Sequence, residues 1–82
     1  MNKPREDDYF ESSDISLVTA LCCYGYKIET IKKPQFSNKA IFLIKQAKGL
    51  DRLIEGFWAH ELQVDPLLYF NYLKETKTRL YQ

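Results

Sequence analysis

Gly25 separates two periodicities, and that change constrains the fold more than any other feature of the chain. Upstream, Leu17, Val18, Leu21 and Cys22 recur at helical spacing, and Ser12, Ser13 and Asp14 supply the side-chain oxygens that cap a helix N-terminus. Downstream, Tyr26, Ile28 and Thr30 alternate with Lys27 and Glu29, the two-residue period of a strand. A glycine one step past the last periodic residue takes the left-handed backbone that closes a helix. The pattern predicts a helix over residues 14–24, a cap at Gly25 and a strand that begins at once.

The rest of the chain follows the same logic. Residues 1–7 are polar, contain Pro4 and show no period, so they are expected to form a flexible tail, and DYFE at residues 8–11 reads as a short strand. KKPQFSNK at residues 32–39 places proline, serine and asparagine between two extended segments, as a hairpin connection does. It returns into AIFLIKQ at residues 40–46, with Ile41 and Leu43 on one face and Phe42 and Ile44 on the other, the pattern of a central strand.

From Gly49, Leu50, Leu53, Ile54 and Phe57 share a helical stripe that Arg52 and Glu55 avoid. Gly56 inside that helix either admits a close neighbour or weakens the helix by about 1 kcal/mol relative to alanine. Asp65-Pro66 restarts the pattern, since aspartate caps and proline fits the first helical position, and Tyr69, Phe70, Leu73, Lys77, Leu80 and Tyr81 give the stripe of a last helix. The order β-α-β-β-α-α predicts an α+β fold: a three-stranded, mostly antiparallel sheet of order 2-3-1 packed against helices, in one small domain over residues 8–82.

Composition narrows the function classes. A net charge of +1 gives no whole-molecule field for nucleic acid or an anionic membrane. The charge is unevenly spread: residues 1–14 have two bases against five acids, net −3, and residues 27–48 have six lysines against one glutamate, net +5. No apolar run is long enough to cross a bilayer and the polar start is unlike a signal peptide, so a cytoplasmic protein with no membrane partner is expected.

The chemistry-bearing residues are few. Metal sites draw on about four ligands, and the chain offers two adjacent cysteines and one histidine. Cys22 continues the core stripe of the first helix and is expected to be buried, whereas Cys23 lies about 100° further round and its exposure is open. His60, read as the last turn of the second helix, has the position of a side chain that favours the helix dipole, and Glu61 beside it cannot form a dyad because helical neighbours do not face each other. There is no phosphate loop, nucleophile elbow or zinc-protease motif. The expectation is a non-enzyme without cofactor, metal or small-molecule ligand.

Two surfaces compete as binding sites. Trp58 and Tyr72 fall off the stripes assigned to the core, and with Tyr69, Arg79 and Tyr81 they make a candidate protein interface for a partner or a second copy of the chain, with Trp58 as anchor. The alternative is a nucleic-acid-binding accessory protein that uses the basic hairpin segment 27–48, through Lys32, Lys33, Phe36, Lys39 and Lys45. Lysines also blunt exposed sheet edges, and an absence of arginine from that segment argues against base readout.

Tyr9-Phe10, Asp14, Leu21, Gly25-Tyr26-Lys27, the AIFLIK strand, Ile54, Phe57-Trp58 and the closing VDPLLYFNYLKETKTRLY together resemble a family of small, mostly prokaryotic and phage-associated proteins grouped as a domain of unknown function. The resemblance runs from Tyr9 to Tyr81. It implies the family's fold and brings no catalytic residues.

Overall fold

The Asp14 carboxylate sets the first helix in place. It accepts hydrogen bonds from the Ser16 and Leu17 backbone N–H groups at 2.9 and 3.2 Å and from the Ser16 hydroxyl, which satisfies donors that a helix N-terminus leaves open. A computed structural model of the chain describes residues 8–82; the expected tail, residues 1–7, lies outside the described residues. Its elements are β1 (Tyr9–Ser12), α1 (Ile15–Cys23), β2 (Ile28–Lys32), β3 (Ile41–Lys45), α2 (Leu50–Trp58) and α3 (Pro66–Leu80). The three strands form one antiparallel sheet in the order β1-β3-β2, with the strand that is apolar on both faces in the middle.

Helix α1 ends as the change of period requires. Gly25 has φ 96°, its N–H donates to the Cys22 carbonyl at 3.0 Å, and the Tyr26 N–H reaches back to Leu21 at 3.2 Å. These two bonds satisfy the last carbonyls of the helix and turn the chain toward β2. The helix itself is buried all round: Leu17, Val18, Thr19, Ala20, Leu21 and Cys22 run consecutively through more than a full turn without an exposed side. The Thr19 hydroxyl is accommodated there by donating to the Ile15 carbonyl at 2.7 Å. Around α1 gather Phe42 and Ile44 of β3, Ile28 of β2 and Leu50 of α2 to form the core.

The sheet has one helix-covered face and one wet face. Pairing puts Phe10, Ile28 and Ile44 in one row and Ile31, Phe42 and Ser12 in the next, on the core side. The opposite face carries Glu11, Thr30, Lys32 and Lys45 exposed around the buried Leu43. In β2 the alternation expected from Tyr26 onward breaks, because Ile28 faces Ile44 and Thr30 faces Leu43, leaving Glu29 as an extra residue. A bulge of one residue flips the faces beyond it, so Thr30 turns outward and Ile31 takes the inward place.

Helix α2 keeps its expected stripe, with Leu53, Ile54 and Phe57 packed against the core. Gly56 is where Leu62 approaches: a Cβ added there would lie 3.2 Å from a Leu62 methyl, so the glycine makes room for the returning chain. Helix α3 starts at the Asp65 cap, which accepts from Leu68 N–H at 2.8 Å, with Pro66 in the first turn. Its inward stripe is Tyr69, Tyr72, Leu73, Thr76 and Leu80, of which Thr76 is fully buried. That corrects the phase read from the sequence: Phe70 and Lys77 are exposed and Tyr72 packs on the core.

Candidate functional site

The thiols and the histidine come first because they carry most chemistry per residue. Cys22 is buried and its thiol is pushed up to about 11, mainly by burial, with the nearby Cys23 and Glu75 charges adding to the effect. Cys23 is half-buried, and burial and then Asp65 raise its pKa too. A raised pKa disfavours the thiolate, the reactive form, in both, and Cys22 is part of the core cluster. Among the described residues no group of three or more histidines, cysteines or carboxylates is placed to share a metal ion.

His60 stands outside the helix that was expected to contain it. It has φ 61°, the only positive φ of a non-glycine residue among those described, and its N–H donates to Phe57 at 3.1 Å while Glu61 N–H donates to Gly56 at 2.9 Å. This is the same closing pattern as at Gly25, with histidine in the glycine position. The role of His60 is thus conformational, and the side chain is exposed.

The five residues of the expected protein interface part into two groups. Trp58 and Tyr81 stand 59% and 81% exposed. Tyr69 and Tyr72 are half-buried between α3 and the core; the Tyr69 hydroxyl donates to the Ser16 carbonyl at 3.4 Å, and its pKa is raised by burial and then by Cys23 and Asp14. Arg79 donates from Nη1 to the Ile28 carbonyl at 3.0 Å. The carbonyl at the start of edge strand β2 is occupied in this way, which removes it as a template for a further strand.

Exposed apolar side chains outside the interface expected from the sequence lie in the first turns of α3. Leu67, Leu68 and Phe70 are 68, 40 and 53% exposed, close in the chain to Trp58. Leu67 and Phe70 are three residues apart and so share a helix face, and Lys74 one turn on lays its ammonium 5.0 Å from the Phe70 ring centre. Trp58 meets Phe57 edge to face at 4.9 Å. The sequence signal that could have exposed Leu67 and Phe70 is Thr76: choosing the small residue as the centre of the inward stripe turns both of them outward.

The basic hairpin is also divided. A turn from Pro34 to Ser37, closed by Ser37 N–H donating to the Pro34 carbonyl at 3.2 Å, throws Phe36 outward to 96% exposure. Lys32 and Lys45 sit on the wet face of the sheet, paired with Ile41 and Tyr9. Lys33 and Lys39 instead border a depression of about 280 Å³ next to the end of α3. The Lys33 ammonium donates to the Gln82 oxygen at 3.0 Å.

An antiparallel three-stranded sheet, open at both edges and covered on one face by helices around a buried central one, defines a small α+β domain of the β-α-β-β-α-α type. The chain belongs to the family described as Domain of unknown function (DUF5659), whose model matches residues 7–82. No curated protein and no solved structure matches it. Among the described residues, no helix is long and apolar enough to cross a membrane.

Proposed function

We propose that the protein is a non-enzymatic cytoplasmic binding module that works through protein contacts, in the first place with a second copy of itself. The observation that carries this reading is the exposure of four large apolar side chains that flank the α2–α3 connection in the chain, Trp58 at the end of α2 and Leu67, Leu68 and Phe70 in the first turns of α3, each 40–68% exposed. Tryptophan and phenylalanine at a surface supply large contact area with few rotors to immobilise, the property of interface anchors. A stable dimer needs about 800 Å² from each partner, roughly one eighth of the 6387 Å² that the chain exposes. With a pI of 7.7 the two copies carry little net charge to repel each other near neutrality.

Static light scattering across roughly two decades of concentration tests it. The expected mass rises from that of the 9.7 kDa chain toward twice that value, and Phe70→Asn and Trp58→Ala each shift the transition to higher concentration. Phe70→Asn is the safer variant, since Trp58 also braces Phe57. A wild-type protein that stays at the monomer mass throughout removes the self-association reading.

A further inference from the structure

The far end of α3 builds a second surface, roughly 20 Å along the helix axis from Leu67. A groove of about 550 Å³ runs between the start of α1, the β2–β3 connection and the last turns of α3. It shares Asn38, Lys39, Ala40, Leu80 and Tyr81 with the smaller depression beside Lys33, so the two adjoin. Its floor is apolar, made by Ile15, Ala40, Phe42 and Leu80, and its rim carries the ammonium groups of Lys33, Lys39 and Lys77. Asp14 is the one acid that lines it, and that carboxylate is already held by the Ser16 and Leu17 donors of the α1 cap.

We infer that this groove binds single-stranded nucleic acid. The argument joins two observations. Three lysines, of which Lys33 also donates to the Gln82 oxygen at 3.0 Å, stand against a single occupied carboxylate and make the lining complementary to a chain of phosphates. Of the two most exposed aromatic rings among the described residues, Tyr81 at 81% lines the groove, and Phe36 at 96% does not line it but precedes Ser37, Asn38 and Lys39, which do. A ring left in water gains by stacking on an unpaired base, whose flat face fits any sequence. A duplex keeps those faces inside its own stack, and an acidic peptide carries the charge without them. The residues that do the work are therefore Lys33, Lys39, Lys77, Phe36 and Tyr81. Lys32 and Lys45, which the sequence groups with the hairpin, lie on the wet face of the sheet and take no part. The inference is independent of the contact surface at the other end of α3.

Fluorescence anisotropy of a labelled oligo(dT) probe tests it with the full chain. Each of three lysines contributes about 0.7 to the salt slope on a single strand, so affinity should fall about 20-fold as salt rises fourfold. Neutralising Lys39→Gln and Lys77→Gln together should cut the slope to about one third and weaken binding at low salt. Tyr81→Leu should weaken binding about fivefold or more without changing the slope. All three side chains are exposed, so the variants keep the fold, and Lys48→Gln, outside the groove, should leave the affinity unchanged. No binding at low salt overturns the inference. So does equal binding of a duplex, displacement of the probe by polyglutamate as effective as by unlabelled oligo(dT), or a Lys48→Gln loss as large as that of the groove pair.

Discussion

Exchanging the closing residues of α1 and α2 tests whether backbone geometry, and not side-chain contact, ends these helices. Both helices finish with the same two hydrogen bonds around a residue at positive φ, yet one uses Gly25 at 96° and the other His60 at 61°. A Cβ added at Gly25 would meet nothing within 4 Å, so Gly25→Ala carries no packing penalty and isolates the conformational cost. An L residue in the left-handed region costs about 1–2 kcal/mol, and the lost freedom of the unfolded chain returns about 0.4–1 kcal/mol. The net expectation is a loss of about 1 kcal/mol. His60→Gly reverses both effects and should stabilise by about 0.5 kcal/mol, at the low end because histidine tolerates this region better than most residues. In urea at fixed pH the midpoint should move down for the first variant and up for the second with unchanged slope; one kcal/mol corresponds to about 4–8 °C of Tm in a domain this size. A neutral Gly25→Ala, or a His60→Gly that destabilises, refutes the reasoning.

Removing the Asp14 cap with Asp14→Ala should cost about 1 kcal/mol at neutral pH, read by the same unfolding curves. The Ser16 hydroxyl and the Leu17 and Ser16 N–H groups hold its pKa below 3.8 against the opposing effect of burial. Its contribution is then complete above that value and disappears as pH falls through the lower folded-state pKa, so the gap between wild type and variant narrows in acid. For the thiols, DTNB at pH 8 should leave Cys22 unlabelled in the native chain and label both cysteines in denaturant. Since the folded state raises Cys22 from 9.0 to about 11, stability should decline as pH rises from 9 toward 11, and Cys22→Ala should flatten that alkaline limb. Arg79→Met keeps the methylene packing and removes the bond to the Ile28 carbonyl; a loss of about 1 kcal/mol is expected, and faster hydrogen exchange confined to β2 would mark its origin.

Local chemistry made most of the fold legible. The Asp14 and Asp65 caps, the Gly25 closure and the doubly apolar β3 each announce themselves within a few residues, and they suffice for the element order and the sheet order. What escaped the sequence depends on contacts distant in the chain. The Glu29 bulge leaves no mark in an alternating segment, and it is the pairing with β3 that shows Ile31 pointing in. In α3 an apolar stripe favours Phe70 over Thr76, whereas the folded chain buries the small Thr76 and leaves Phe70 exposed. His60 reads as helical because nothing short-range distinguishes a histidine that ends a helix from one inside it.

The same limits apply to the candidate surfaces. The exposure of Trp58 is legible because it falls off the α2 stripe, and that of Phe36 because it sits in the hairpin connection. What holds Tyr69, Tyr72 and Arg79 is not legible, since each is engaged by an element far away in sequence: Ser16, the core cluster and Ile28. The groove at the end of α3 joins α1, the hairpin and α3, and no window of sequence contains all three.

Trp58 is the single tryptophan of the chain and stands 59% exposed at the proposed contact surface, so its emission reports directly on the central claim. As concentration rises through the association range, the emission maximum should move to shorter wavelength while the far-ultraviolet circular dichroism stays constant, and Phe70→Asn should displace that change to higher concentration. An emission maximum that is the same at every concentration, at the wavelength of a water-exposed indole, would contradict the claim.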